Sequence, residues 1–268
     1  MRDSQTQAGG RSAVEDLREI LSKPIFNPVL KTWVGDGSHD YEVYLRTKDL
    51  LSLQTSAELL TDSDELMFQI VHQAQEVWLK LISHELTEIV GDLDRDRLWE
   101  VAARLDRVIR ISSCLGDEIR ILETLTPDTY QVIRRSLGNG SGQESPGFNS
   151  TQTAARYVAE ALDRLLERRN LQVTDVYGAE SEVELKRICE LLVDFDERYQ
   201  LWLVAHFMLV RRTIGVGRDV KALDGVPARI LIGRMTKPLF HPLWRARDEM
   251  TLAWSREGGH RPGAERAG

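Results

Sequence analysis

Apolar residues recur at three- and four-residue intervals over most of this chain. Leu98, Val101, Leu105, Val108, Ile111, Leu115, Ile119 and Leu122 have the spacing of a helix with one buried face, and predict a helix over 96–123. Leu66, Ile70, Val77, Leu81 and Leu86 predict another over 64–90. Asp62 or Ser63 can cap it, and Asp64 and Glu65 suit its positive N-terminal end. A short helix is predicted over 13–22, stopped before Pro24, and mostly helical chain over 41–53. Thr126 and Pro127 suit the cap and first position of a helix over 128–137 that ends at Gly138. After a glycine- and serine-rich loop, 138–150, helices are predicted over 151–169, 180–213 and 243–255. Gly215 and Gly217 close the longest of these; 216–237 reads as irregular, and Pro238 and Pro242 bracket a turn. Residues 23–40, with Pro24, Pro28, Gly35 and Gly37, read as an extended arm. No run of alternating β-branched residues is bounded by hairpin signals. The expected fold is therefore all-α, a single-domain bundle of about six main helices without an internal repeat.

Composition narrows the function. Of the 268 residues, 42% are hydrophobic and 29% charged, as in a globular protein with a sizeable core. The net charge is −7, with no basic block, which argues against nucleic acid as a partner. No apolar run approaches the roughly 20 residues of a membrane helix, so no membrane partner is expected. The polar residues 1–12 show no secretory h-region, and the two cysteines, Cys114 and Cys189, are too few for a disulfide scaffold or a cysteine-rich zinc site. A cytoplasmic location is the simplest expectation. The polar tail 257–268 is expected to be disordered.

Six histidines are present, and two sit inside strongly apolar helices. His206 lies in YQLWLVAHFMLVRR; His72 lies in ELMFQIVHQAQEVWLK, one turn after Phe68. Each can be a core histidine satisfied by a carbonyl or carboxylate. Each can also be a ligand. Zinc is disfavoured, because HExxH and CxxC are both missing and His84-Glu85 stops short of the former. Haem iron, which one proximal histidine can hold in a dry pocket between helices, suits the pattern better. Walker loops, GxSxG elbows and a GxGxxG after a strand are absent as well. Arg134 and Arg135, next to the glycine-rich loop, are either a solvated helix face or a carboxylate-binding pair.

Several segments, taken in order, resemble the tryptophan 2,3-dioxygenase family. They are YEVYLRTKDLLSLQ (41–54), DELMFQIVHQAQEVWLKLISHEL (64–86), LETLTPDTYQVIRRSLGNGSG (122–142), FDERYQLWLVAHFMLVRRTIG (195–215) and KPLFHPLWRARDEM (237–250). The resemblance implies a helical oxygenase domain over 41–256 enclosing a b-type haem, with O2 as co-substrate and an indole amino acid as the small-molecule partner. It implies that His206 is the proximal iron ligand and that His72 stands beside the indole, suited as a neutral imidazole to accept its N–H. Phe68 matches the wall of the indole pocket, and Arg134 the arginine that pairs with the substrate carboxylate. Trp202 and Val210 match positions beside the haem, and Trp78 a packing position. Tyr41, Tyr44 and Leu45 match residues near the substrate, some from a neighbouring subunit. That implies a homotetramer whose N-terminal arms, 1–40, cross between subunits. The HxxxC attachment of tyrosine-hydroxylating haem enzymes is missing, because Val210 stands four residues after His206.

One part departs from the family pattern. Its GTGGSSG loop, which holds the substrate ammonium, is replaced by GVGRDVKALDGVPARILIGRMTK over 215–237. Arg218, Asp219, Lys221 and Asp224 lie there, and an acidic side chain would suit an ammonium. The 151–195 stretch is also shorter than the family's. The expectation is a specialised member acting on tryptophan or a substituted, for example β-methylated, tryptophan. It leans to mono-oxygenation to a 2-oxindole in secondary metabolism, with an external reductant. The alternatives are an ordinary ring-cleaving dioxygenase giving N-formylkynurenine, and a non-catalytic haem sensor or paralogue.

Overall fold

The computed structural model describes residues 12–178, 180 and 182–255. They form two compact units, divided after Leu60. The expectations placed on 1–11 and on 257–268 lie outside the described residues.

The first unit begins with α1 (Ala13–Leu21), started by a capping box in which Ser12 and Glu15 each take the other's backbone N–H. Strands β1 (Ile25–Asn27) and β2 (Thr32–Val34) follow, antiparallel, with Ile25 opposite Val34 and Phe26 opposite Trp33. The arm is thus a small hairpin. Its turn is built by Asn27, whose Oδ1 accepts from the amides of Val29 (2.9 Å) and Leu30 (3.0 Å). Then come α2 (Asp40–Leu45) and α3 (Thr47–Leu50), separated by Arg46 in the left-handed region. Buried Glu42 ties this unit together by accepting from the Gly35 and His39 amides. Helix α1 buries none of its apolar residues, and Val14, Leu17, Ile20 and Leu21 are exposed.

The second unit is a bundle of four long helices with shorter ones attached. The long ones are α4 (Glu65–Asp94), α5 (Leu98–Glu118), α7 (Pro146–Arg169) and α9 (Val183–Thr213). The others are α6 (Pro127–Arg134), α8 (Val173–Gly178), α10 (Ile230–Met235) and α11 (His241–Leu252). Helix α4 packs on α7 and α5, and α5 packs on α9. The core is aliphatic: Leu79, Leu86 and Leu93 from α4, Leu105 and Val108 from α5, Val158 and Leu165 from α7, and Leu185 and Leu192 from α9.

All eight apolar positions predicted for the 96–123 helix are buried, although the last turns tighten to a 3-10 helix over Ile119–Thr124. The 64–90 helix forms, but its predicted face is partly wrong. Leu66, Ile70 and Val77 are exposed, while Val71, Gln75, Leu79, Ile82 and Leu86 point inward. Thr126 and Pro127 start α6 as expected, the Thr126 hydroxyl accepting from the Thr129 amide. Helix α7 begins five residues before the predicted 151, because Ser145 caps it and Pro146 takes its first turn. Pro242 likewise lies in the first turn of α11, not in a preceding loop. The irregular 216–237 stretch contains α10.

Two polar anchors fix the bundle. The Glu85 carboxylate on α4 accepts from Arg104 (2.9 Å) and Arg107 (2.5 Å) of α5, and Arg104 also donates to Asp92 (2.9 Å). Burial alone would raise the Glu85 pKa, but the two guanidiniums outweigh it and hold the carboxyl below its usual range. On α9, fully buried Asp196 accepts from the amides of Leu239 and Phe240 and from the Trp244 indole, clamping the C-terminal segment.

Candidate functional site

Helices α4 and α9, α6 with the loop after it, and the 214–231 segment enclose a cavity of about 450 Å³ in the second unit. His72 and Phe68 come from α4, Trp202, His206 and Val210 from α9, and Arg134 from the end of α6; all six line it. Segments distant in sequence thus converge on one space. Tyr41, Tyr44 and Leu45 lie in the first unit, on exposed α2. Trp78 does not line the cavity; its indole donates to Glu118 (3.1 Å).

His72 is fixed by its own helix. Its Nδ1 lies 2.7 Å from the Phe68 carbonyl one turn back. A carbonyl oxygen only accepts, so Nδ1 carries the proton and the neutral ring keeps a lone pair on Nε2. The residue is open to the cavity that it lines. Burial lowers its pKa below the ordinary histidine value, against the opposing pull of the Phe68 carbonyl and of Glu76. Phe68 tilts against it with ring centres 4.2 Å apart, and Tyr130 stands 6.2 Å beyond Phe68. The result is an aromatic wall beside a neutral hydrogen-bond acceptor.

Opposite, three rings form a stack. Phe148 lies 3.8 Å from Trp202, and Trp202 lies 5.2 Å from His206 at an interplanar angle of 8°. Among the described residues nothing hydrogen-bonds the His206 imidazole. Burial first, then nearby His72 and Arg234, pushes its pKa down to about 4, so the ring is neutral with a lone pair to offer. The buried Trp202 Nε1 has no hydrogen-bond partner among the described residues. Gly142 lies next to this nitrogen: a Cβ added there would stand 3.6 Å from His206 Nε2, in ordinary van der Waals contact. Among the described residues no group of three His, Cys, Asp or Glu could hold a bare metal ion.

Arg134 donates to the Lys221 carbonyl (3.0 Å), and no described carboxylate pairs with it. Lys221 opens a small hairpin. It bridges to Pro227, the Ala222 amide donates to the Val226 carbonyl (2.9 Å), and the Asp224 carboxylate takes the Val226 amide (2.8 Å). Gly225 supplies the left-handed turn residue, φ 81°. The hairpin presents Ala222, Leu223, Val226, Pro227 and Ala228 to the cavity; Asp219 and Asp224 do not line it.

Sequence reasoning missed Glu76, Phe148 and this apolar hairpin. Glu76, one turn after His72, accepts from the Ser145 hydroxyl and the Gly147 amide, seating the start of α7 on α4. Its spacing from His72 was the available signal.

Fold and site define a helical protein built around two neutral imidazoles that share one largely apolar cavity. The comparisons with known proteins agree with that class. The tryptophan 2,3-dioxygenase family model matches residues 31–154. The chain is 30% identical to a tryptophan 2,3-dioxygenase of Myxococcus xanthus over 84% of this chain and 94% of that protein. It is 28% identical to one from Arthrobacter sp. strain FB24, over 78% and 91%. It is 26% identical to one from Herpetosiphon aurantiacus, over 78% and 98%. The chain belongs to the tryptophan 2,3-dioxygenase family and is an oxidoreductase of that family. The family implies a haem cofactor. The residues present fit one: a neutral, unbonded imidazole in an apolar cavity, stacked on an indole, with a glycine facing its Nε2.

Proposed function

We propose that this protein is a haem-dependent oxygenase that inserts oxygen from O2 at the indole C2–C3 bond of tryptophan or a substituted tryptophan. The observation that carries the reading is the His72 geometry. A ring held by the Phe68 carbonyl at Nδ1 offers Nε2 as an acceptor to an N–H donor in the cavity.

His206 would hold the haem b iron through Nε2, with Trp202 stacked on the imidazole and Val210 on the cavity wall one turn later. When bound, that group supplies O2 activation. The protein's own residues do the rest. His72 Nε2 accepts the indole N–H and fixes which ring edge faces the reacting centre. Phe68 and Tyr130 pack the indole plane and exclude water. Arg134, with N–H donors beyond the Nη2 bonded to the Lys221 carbonyl, takes the carboxylate end. Tyr41, Tyr44 and Leu45 complete the site from a neighbouring subunit of a homotetramer; the exposed apolar row on α1 supports an arm that crosses between subunits. The location is cytoplasmic, and the partners are small molecules.

The apolar hairpin in place of a polar loop favours a shifted substrate, with mono-oxygenation to a 2-oxindole driven by an external reductant. The retained pair of His72 and Arg134 favours the second reading, ring cleavage to N-formylkynurenine. Aerobic turnover of the haem-loaded, reduced protein with L-tryptophan and its β-methyl derivative decides by product mass. One added oxygen, dependent on reductant, supports the first reading. Two added oxygens with kynurenine-type absorbance support the second. Oxygen uptake that no indole stimulates would overturn both and leave a haem-binding sensor.

A further inference from the structure

One carboxylate joins the two histidine walls of the cavity. Glu76 lies one turn after His72 on α4, and both of its oxygens are used on the start of α7. Oε1 accepts from the Ser145 hydroxyl, and Oε2 from the Gly147 amide (2.9 Å). Ser145 Oγ in turn accepts from the Phe148 amide (3.2 Å). The positive N-terminal end of a helix favours a carboxylate in this place. The approach leaves no room for a larger residue: a Cβ on Gly147 would stand 2.6 Å from Leu79 Cβ and 2.7 Å from Glu76 Oε2. Glu76 therefore sets where the first turn of α7, and Phe148 with it, stands. Phe148 stacks on Trp202 of α9 with ring centres 3.8 Å apart, and Trp202 lies parallel to His206, 5.2 Å away at 8°. One turn further along α7, Gln152 donates to the Tyr199 hydroxyl of α9 (2.6 Å), which ties down the next turn but not the first.

A metal-ligating histidine is usually oriented by a hydrogen bond from its other ring nitrogen. Among the described residues His206 has no such bond, and the buried Trp202 Nε1 has none either. The plane of the imidazole is thus held by packing rather than by a polar partner, and Trp202 is the ring it lies against. Resting on the reading of His206 as the haem ligand, we propose that Glu76 is a positioning residue for that ligand. By capping α7 it holds Phe148 on Trp202, and through that stack it fixes the plane of the His206 ring.

The test is resonance Raman spectroscopy of the haem-loaded, ferrous full chain without substrate or O2, read at the iron–histidine stretching band. Glu76→Ala and, separately, Phe148→Leu should broaden that band and shift its maximum, and should speed haem transfer to excess apomyoglobin by about ten-fold or more. Because both act on one path, the double variant should shift the band no further than the larger single change. Glu76→Gln keeps an acceptor for the Gly147 amide and should fall between the parent and Glu76→Ala. Glu85→Gln loosens the bundle away from the stack and should leave the band where it is, which separates positioning from lost stability. An unchanged band in Glu76→Ala overturns the proposal, as does a band that Glu85→Gln moves equally. A band moved by Glu76→Ala but not by Phe148→Leu overturns the route through the stack. Should Glu76→Ala take up no haem, an unchanged band in Phe148→Leu overturns the proposal by itself. A parent protein whose ferrous haem shows no iron–histidine band overturns instead the reading of His206 as the ligand.

Discussion

Replacing Asp196 with asparagine should destabilise the protein severely, although the change removes little volume. Asp196 is completely buried on α9. Its Oδ1 accepts from the Leu239 amide (3.0 Å) and the Gln200 side chain (3.1 Å), and its Oδ2 from the Phe240 amide (3.1 Å) and the Trp244 indole (2.9 Å). All of these partners are donors. An asparagine keeps one accepting oxygen and sets an NH2 against two N–H groups, whichever way it is flipped. Each buried donor left unsatisfied costs about 1–3 kcal/mol, so the variant should lose roughly 4 kcal/mol. That is a large part of the about 5–15 kcal/mol available to a domain. At about 2–4 °C per kcal/mol for a chain of this size, the melting temperature should fall by roughly 8–16 °C. Alanine should cost at least as much, since every donor loses its acceptor. Thermal unfolding followed by far-UV circular dichroism checks this. The donors that would be stranded include the backbone leading from α10, whose Leu231 lines the cavity, so ligand affinity should weaken as well. An Asp196→Asn variant melting within about 2 °C of the parent would refute the reasoning, because two buried donors would then have cost almost nothing.

Other consequences follow from the same geometry. Glu85 is held below its usual pKa of about 4.5 by Arg104 and Arg107, so its stabilising contribution is complete above that pH and is lost as pH falls through its folded value. Glu85→Gln should lower stability at pH 7 and flatten the acid limb of a urea-denaturation series; an unchanged acid limb would contradict the pairing. Gly147→Ala would place a Cβ 2.6 Å from Leu79 Cβ, and should cost about 1–3 kcal/mol by forcing α7 off α4, read as a lowered urea midpoint. His206→Ala should abolish stable haem binding on reconstitution, seen as loss of the Soret band from the desalted protein. Arg134→Ala should raise the Michaelis constant for an indole acid by roughly 30-fold or more by leaving its carboxylate unpaired; an unchanged value removes Arg134 from the site.

The helices were legible where their buried faces are apolar throughout, as on α5. On α4 the helix was legible and its face was not, because polar groups occupy core positions there. Gln75 is buried against the Leu115 carbonyl, and Glu85 and Asp92 are buried against arginines, which displaces the apolar stripe read from composition. The arm's hairpin escaped because strands of three residues carry too little alternation to read; the asparagine turn was its real signal. The start of α7 was hidden in a segment whose glycine and serine content reads as loop, although Ser145-Pro146 is a helix start. At the site, the histidines, Phe68 and Arg134 were legible as residues of unusual type in an apolar context. The lining of the hairpin was not. Val220 to Ala228 has two charged residues, Lys221 and Asp224, scattered among apolar ones with no period, and the Lys221–Pro227 bridge sets which of them face inward.

The cavity is built of parts with very different rigidity, and this separates its chemistry from its selectivity. His72 and His206 sit on helices of 30 and 31 residues whose opposite faces are sunk in the core, so neither backbone position can shift without moving the bundle. The hairpin is held mainly by bonds within itself, and Arg134 ties it to the neighbouring wall. Substitutions at Ala222, Leu223 or Val226 therefore reshape the space beside the carboxylate handle while the two imidazoles stay fixed. Only Nη2 of Arg134 is bonded to the Lys221 carbonyl, and the other N–H donors of the guanidinium are left for an acid group, so the handle and the hairpin are neighbours on one side chain. An acid group on those donors is therefore held next to a hairpin that Arg134 still anchors.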